Sequence, residues 1–90
     1  MSRSIKEKSK LLARVRRIKG QVEAIERALD RELGCADVLQ LLASVRGAVG
    51  GLTAELIEDH IKGHVLDAGN DAARRQGAEE LIDVVRTYLK

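Results

Sequence analysis

Apolar residues recur at alternating spacings of three and four positions in the first third of the chain. This spacing is typical of one face of an amphipathic helix. It predicts a first helix that starts near Ser4 or Ile5 and ends at about Asp30 or Arg31, with Gly34 as the residue that ends it. The positions that form this apolar seam are Val15, Ile18, Val22, Ile25 and Leu29.

A second and longer apolar pattern predicts a helix from about Ala36 to Val65. Three glycines, Gly47, Gly50 and Gly51, fall inside it. A glycine within a helix costs about 1 kcal/mol relative to alanine, so we expect another helix to approach closely there. The apolar seam of this helix consists of Leu42, Val45, Val49, Leu52 and Leu56.

The end of the chain predicts one more, shorter helix. The segment Asp67–Gly77 contains Gly69 and Asn70 as well as Gly77 and predicts a loop. The apolar pattern from about Ala78 to Leu89 predicts the last helix. The prediction is therefore an all-α protein, a single domain over residues 1–90 with three helices, two of them long.

The predicted helix lengths indicate an oligomer. A helix of about 28 residues is about 42 Å long, whereas a compact chain of this size has a radius of gyration of about 12 Å. Such helices would leave their apolar seams uncovered in a single chain. We therefore expect an obligate homo-oligomer in which symmetry-related helices form a bundle.

Composition excludes several classes of protein. The chain has no Phe or Trp and one Tyr, so it lacks the aromatic residues on which single-stranded nucleic acids stack. Its single cysteine cannot form an internal disulfide, which argues against a small secreted protein. We find no apolar signal core and expect no run of membrane-spanning length. These features predict a cytoplasmic protein without membrane contact.

Basic residues are concentrated at the N-terminus. The first twenty residues contain eight Lys and Arg against one acid, Glu7, although the net charge of the whole chain is only +2. A solvated helix face is the simpler interpretation, but such an imbalance favours phosphate binding, and charge alone does not separate DNA from RNA or an acidic membrane. Arg14 and Arg17 can each grip a phosphate with two donors. Near them lie Lys10, Arg16, Lys19 and Gln21.

Cys35, His60 and His64 are the only thiol and imidazole groups in the chain. Taken singly, each fits an inert residue at a helix end. His60 and His64 are four residues apart, which places them on one helix face at a spacing suited to metal binding. Cys35 lies at the far end of the same predicted helix and would meet them only from an antiparallel partner. This donor set suits Zn, Co or Ni better than Mg, Ca or Cu(I).

Several motifs of the chain together match one protein family. They are Arg14–Val22, Cys35, Val45–Ala48, and Leu52-x-x-Glu55 followed by His60-x3-His64. With these motifs the chain resembles the CsoR/RcnR family of small all-helical bacterial repressors. The resemblance implies four-helix-bundle dimers that assemble into a disk-shaped tetramer, with a sensor site shared between protomers and no enzymatic activity. It also implies that double-stranded operator DNA is released when the effector binds. Arg14 and Arg17 match the positions that contact DNA, and Lys10, Gln21 and Arg46 match more weakly.

The residues at 2, 3 and 64 decide which branch of the family the chain resembles. The copper branch has cysteine in place of His64, and the persulfide branch needs two cysteines. The nickel/cobalt branch shares all three ligands but has a histidine where this chain has Arg3. We therefore expect Cys35, His60, His64 and the Ser2 amine to form a four-coordinate site for Zn, Co or Ni.

Three other interpretations remain open. The formaldehyde branch shares Cys35 and His60 and uses an N-terminal amine, which Ser2 would supply here. A thiol enzyme with Cys35 as nucleophile and His60 as base is an alternative from another class. A plain helical scaffold, or a nucleoid-type protein that coats DNA without sequence preference, is a third.

Overall fold

The computed structural model describes residues 5–90 of the chain. Within that range it has three α-helices and no strand, which confirms the all-α prediction. Helix α1 is Ile5–Asp30, α2 is Cys35–Ile61 and α3 is Asp71–Tyr88. A single π-helical turn, Lys62–Leu66, continues α2. The predicted ligand Ser2 and its neighbour Arg3 lie outside the described residues.

The left-handed residue that follows the end of helix α1 is Glu32 rather than the glycine that the sequence suggested. Glu32 has a φ of 55°, the left-handed conformation that usually favours glycine. Its N–H donates to the Leu29 carbonyl at 3.1 Å, and the Leu33 N–H donates to the Ala28 carbonyl at 3.0 Å. These two bonds form a Schellman motif, which satisfies carbonyls that the helix end would leave unpaired.

Gly34 immediately precedes α2 and caps its start instead of ending α1. Its carbonyl accepts hydrogen bonds from the N–H groups of Asp37 at 3.0 Å and Val38 at 3.2 Å. Its φ is not positive, so its role does not depend on left-handed backbone. The prediction that Gly34 ends the first helix is therefore wrong, because Gly34 belongs to the start of the second helix.

The left-handed backbone at Glu32 is strained for a residue that carries a side chain. We expect Glu32→Gly to raise the free energy of unfolding by about 1 kcal/mol, because the relief of strain exceeds the added entropy of the unfolded chain. Arg31→Gly is the matched control. It removes no strain and should lower the free energy of unfolding by about 0.5–1 kcal/mol. Urea unfolding measures both, and a change of the same sign in the two variants would contradict the explanation.

The chain divides into two compact units, residues 5–52 and Thr53–Lys90. In the first unit, the Gln21 Nε2 group donates to Ser44 Oγ at 3.3 Å and so links α1 to α2. Ala28 is the only buried apolar side chain among residues 5–90, with 2% of its surface exposed. Seam residues of α1 such as Val22 and Leu29 are 49% and 61% exposed. The predicted seams therefore exist, and a single chain covers them only in part.

In the second unit, α3 begins at Asp71, inside the segment predicted as a loop. Asn70 precedes it, and its side-chain Oδ1 accepts a hydrogen bond from the Ala73 N–H at 2.8 Å, which caps the helix. The prediction of a loop over Asp67–Gly77 is therefore wrong for its second half. The connection consists of residues 67–70 only.

Gly77 is buried inside α3 because the π-helical turn approaches it closely. A Cβ atom at Gly77 would lie 2.8 Å from the His64 carbonyl carbon and 2.9 Å from its Cβ, and would overlap the His64 carbonyl oxygen. The Arg74 Nε group also donates to the Val65 carbonyl at 3.1 Å. Gly77 is thus required by backbone contact, which explains why a helix-breaking residue occurs within a helix.

The helical stretch Cys35–Leu66 is long and apolar enough to cross a membrane by length and composition. The expectation that no run reaches membrane-spanning length is therefore wrong. A helix whose apolar face is covered by other protein chains has the same length and composition.

Candidate functional site

The structure brings three of the predicted DNA-binding residues together in one cleft. Arg14, Arg17 and Gln21 of α1 line a cleft of about 510 Å³, opposite Ser44 and Gly47 of α2. Arg14 and Gln21 are half-buried and Arg17 is exposed. Two guanidinium groups, an amide and a hydroxyl therefore share a concave surface. This combination suits the oxygens of a phosphate group.

Four other predicted DNA-binding residues lie outside the cleft within the described part of the chain. They are exposed side chains, and as solvated cations they add long-range attraction for a polyanion rather than a shaped contact. They are Lys10, Arg16 and Lys19 on α1 and Arg46 on α2.

Sequence reasoning missed Ser44, which faces the cleft from α2. Its Oγ lies 3.3 Å from Gln21 Nε2. The side-chain oxygen of Gln21 is buried and has no hydrogen-bond partner among the described residues. The available signal was the spacing of small residues in α2, since Ser44, Gly47 and Gly51 recur at three and four positions.

His60 and His64 form a stacked pair at the junction of α2 and the π-helical turn. Their ring centroids are 4.6 Å apart and the ring planes differ by 22°. This agrees with the prediction that the two side chains share one face. Two imidazoles at this separation offer two nitrogen ligands on one surface.

The orientation of the His60 ring is fixed by α3. His60 Nε2 lies 2.8 Å from the Gly77 carbonyl oxygen. A carbonyl only accepts hydrogen bonds, so Nε2 carries the proton and the neutral ring keeps its lone pair on Nδ1. Glu80 Oε2 lies 3.9 Å from the same Nε2. A hydrogen bond of this kind is the usual support for a histidine that binds a metal through its other nitrogen.

An exposed ion pair joins Glu58, in the last turn of α2, to Lys62, the first residue of the π-helical turn. Lys62 Nζ lies 2.9 Å from Glu58 Oε1. The Lys62 ammonium lowers the pKa of Glu58 below its ordinary value, and the carboxylate in turn raises the pKa of Lys62. Because both groups are in solvent, the pair contributes little to stability.

Cys35 is an exposed free thiol at the first position of α2. His60 belongs to the last turn of that helix. Over residues 5–90, a single chain has no group of three His, Cys, Asp or Glu side chains arranged to hold a metal ion. The histidine pair is therefore a partial site with two ligands, and a complete site needs further donors.

The family of metal-sensitive transcriptional repressors matches this chain over residues 7–87. The chain belongs to the CsoR/RcnR family of metal-sensitive transcriptional repressors. It is similar to the transcriptional repressor RcnR of Salmonella arizonae, with 41% identity over 90 residues and full coverage of both chains. The family consists of regulators rather than enzymes, so the thiol-enzyme alternative is excluded.

Two solved structures of the family resemble the chain along nearly its whole length. One is a variant of the formaldehyde-responsive regulator FrmR from Salmonella enterica serovar Typhimurium. It is 43% identical, the match covers 97% of this chain and 99% of that one, and the TM-score is 0.87. The other is the copper-sensing repressor CsoR with Cu(I) from Geobacillus thermodenitrificans NG80-2. It is 26% identical, with coverages of 100% and 94% and a TM-score of 0.93.

These similarities confirm the predicted family, fold class and role as a transcriptional repressor. The two solved relatives respond to different effectors: one is formaldehyde-responsive and the other is copper-sensing. Similarity alone therefore does not choose the effector of this chain. That choice depends on the chemistry of its own donor residues.

Proposed function

We propose that the whole chain acts as one domain of a cytoplasmic homotetramer, built from four-helix dimers into a disk, that represses transcription. It holds double-stranded operator DNA and releases it once Cys35, His60 and His64 have taken up Zn, Co or Ni between protomers. The observation that carries this proposal is the stacked histidine pair, in which His60 Nε2 is hydrogen-bonded to the Gly77 carbonyl of α3. Such a pair is suited to two adjacent positions of a metal site.

The donor set favours a four-coordinate metal. His60 would bind through Nδ1 and His64 through a ring nitrogen, and Cys35 of a second protomer would add a thiolate. The N-terminal amine of Ser2, outside the described residues, is the proposed fourth donor. A bound metal would supply a positive charge that draws these groups from different protomers together. One thiolate with three nitrogens suits Zn and Co more readily than Cu(I).

The exposure of apolar residues in a single chain supports the proposed oligomer. On α2, Leu39, Leu42 and Val49 are 58%, 46% and 44% exposed. Continuous apolar faces of this kind mark association surfaces in soluble proteins. A bundle of symmetry-related helices would cover them and would also bring the N-terminal end of one α2 towards the C-terminal end of another.

The cleft lined by Arg14, Arg17 and Gln21 is the proposed DNA contact, and Lys10, Arg16, Lys19 and Arg46 add positive charge around it. Nothing in the sequence resembles a helix-turn-helix recognition helix, so backbone contacts and DNA shape would carry much of the recognition. The affinity for DNA should therefore fall steeply with salt, because each phosphate contact releases counterions.

The hydrogen bond from His60 to Gly77 offers a physical link between effector site and helix packing. A change in the orientation of the His60 ring would move or break a bond to the backbone of α3. Effector binding and DNA binding then favour different arrangements of the same helices. The two affinities must weaken each other by the same factor, typically about 5–150-fold.

Formaldehyde is the alternative effector, supported by the exposure of the Cys35 thiol and the 43% identity to a formaldehyde-responsive regulator. In this case the Cys35 sulfur and the Ser2 amine would both bond to the aldehyde carbon. One molecule of water would leave, and a methylene bridge between sulfur and nitrogen would remain. His64 would have no ligand role in this chemistry.

The proposal is tested by the fluorescence anisotropy of labelled operator DNA with the reduced full-length protein. Zn, Co, Ni, Cu(I) and formaldehyde are titrated in parallel. We expect Zn or Co to weaken DNA binding about 5–150-fold, with full recovery after a chelator is added. Release by formaldehyde alone would select the alternative effector. Equal binding to operator and random DNA, unchanged by all five, would contradict a repressor and indicate a DNA coater.

A further inference from the structure

The Arg14 side chain crosses α2 at one particular glycine. A Cβ atom built on Gly51 would lie 2.6 Å from a terminal guanidinium nitrogen of Arg14 and 3.8 Å from its Cζ. The same construction at Gly47 and Gly50 meets no atom within 4 Å. Of the three glycines in the middle of α2, only Gly51 therefore has a neighbour that a side chain would displace.

We propose that Gly51 is a positioning residue for DNA binding, because the space left by its missing side chain sets where the Arg14 guanidinium lies. This proposal rests on the proposed function, in which Arg14 contacts a DNA phosphate. Gly51 itself touches no DNA in this scheme. It acts through Arg14, which is half-buried and lines the cleft together with Arg17.

The position of the guanidinium matters because its donors are held in a rigid plane. Arginine binds a phosphate best when two parallel N–H groups meet two oxygens, which fixes both the place and the tilt of the group. Arg14 and Arg17 are three residues apart on α1 and line the same cleft. If Arg14 is pushed out of its place, Arg17 keeps its position while the paired geometry is broken.

Gly51→Ala is a clean test, because the atom it would meet is the far end of a flexible side chain. The guanidinium can swing aside without moving the backbone, and alanine is the better helix former. The folded protein should therefore persist with a displaced Arg14. Gly50→Ala is the matched control, since it makes the same chemical change one residue away, where the new Cβ would meet no atom of its own chain within 4 Å.

The measurement is the affinity for operator DNA at several salt concentrations, with each variant as full-length protein. We expect Gly51→Ala to weaken binding about tenfold near 0.1 M salt, and the salt dependence to decrease by about one counterion for each phosphate that Arg14 no longer neutralises. Gly50→Ala should bind within about twofold of the parent protein. The Nε–H resonance of Arg14 in NMR spectra without DNA should shift in Gly51→Ala and stay in place in Gly50→Ala.

A double-mutant cycle shows whether the effect passes through Arg14. We expect Arg14→Ala to weaken DNA binding about tenfold or more, and Gly51→Ala to add nothing in that background. If Arg14→Ala binds weakly while Gly51→Ala matches Gly50→Ala, the positioning role is wrong and the DNA role of Arg14 stands. If Arg14→Ala leaves DNA affinity unchanged, Arg14 makes no DNA contact. The DNA role of Arg14 and the positioning role of Gly51 are then both wrong.

Discussion

Replacing Gly77 with alanine should lower the free energy of unfolding by about 2 kcal/mol. Alanine gains about 1 kcal/mol of helix propensity, but its Cβ would overlap the backbone of His64. Backbone atoms cannot swing aside as a side chain can, so α3 and the π-helical turn must separate, and we expect an overpacking cost of about 3 kcal/mol, the upper end of the usual range. The hydrogen bond from His60 Nε2 to the Gly77 carbonyl should break as well.

Urea unfolding measures the stability change, and imidazole ¹⁵N shifts report the His60 tautomer. Gly69→Ala is the control, because Gly69 has no atom within 4 Å of its would-be Cβ and its φ is not positive. It should raise the free energy of unfolding by about 0.4–1 kcal/mol, because alanine lowers the conformational entropy of the unfolded chain. An unchanged stability in Gly77→Ala, with the proton still on Nε2 of His60, would show that the contact with His64 is unimportant.

Cys35→Ala should give a repressor that binds operator DNA normally and no longer responds to effector. The thiol is exposed, so its removal should leave DNA affinity within about twofold of the parent protein. Loss of residues that only support a ligand costs 10–100-fold in metal affinity, so loss of the proposed thiolate ligand should cost at least about a hundredfold. Anisotropy titrations with Zn, Co and formaldehyde measure both properties. Normal release of DNA by this variant would place the sensor elsewhere.

His64→Ala separates the two proposed effectors. His64 is a ligand in the metal site and has no role in a methylene bridge between Cys35 and the N-terminal amine. The variant should therefore lose its response to Zn and Co and keep any response to formaldehyde. A variant that responds to metals as the parent protein does would remove His64 from the site.

Much of the fold was accessible from the sequence, because helical periodicity is a local property. The predicted limits of the first helix agree with Ile5–Asp30 within one residue. The start of α3 was also available locally, since Asn70 is a good capping residue and Asp71 an acid in the first turn. It was missed because Gly77 suggested a break. Gly77 is instead explained by a contact with another segment, which no local pattern contains.

The candidate sites divide in the same way. The pairing of His60 with His64, and of Arg14 with Arg17, follows from spacing on a single helix. The contribution of Ser44 to the cleft depends on how α1 and α2 lie against each other, and periodicity does not give that arrangement. The proposed contact between Cys35 and the histidines is still harder to predict, because it depends on how a second chain packs against the first.

The small amount of apolar surface that one chain buries has a consequence for every stability measurement on this protein. With Ala28 as the only buried apolar side chain among residues 5–90, unfolding and dissociation should be one transition. The midpoint of unfolding then depends on protein concentration. Each tenfold dilution lowers the free energy of a bimolecular association by about 1.4 kcal/mol. Dilution alone would thus change the apparent stability as much as most substitutions do, and variants must be compared at equal protomer concentration.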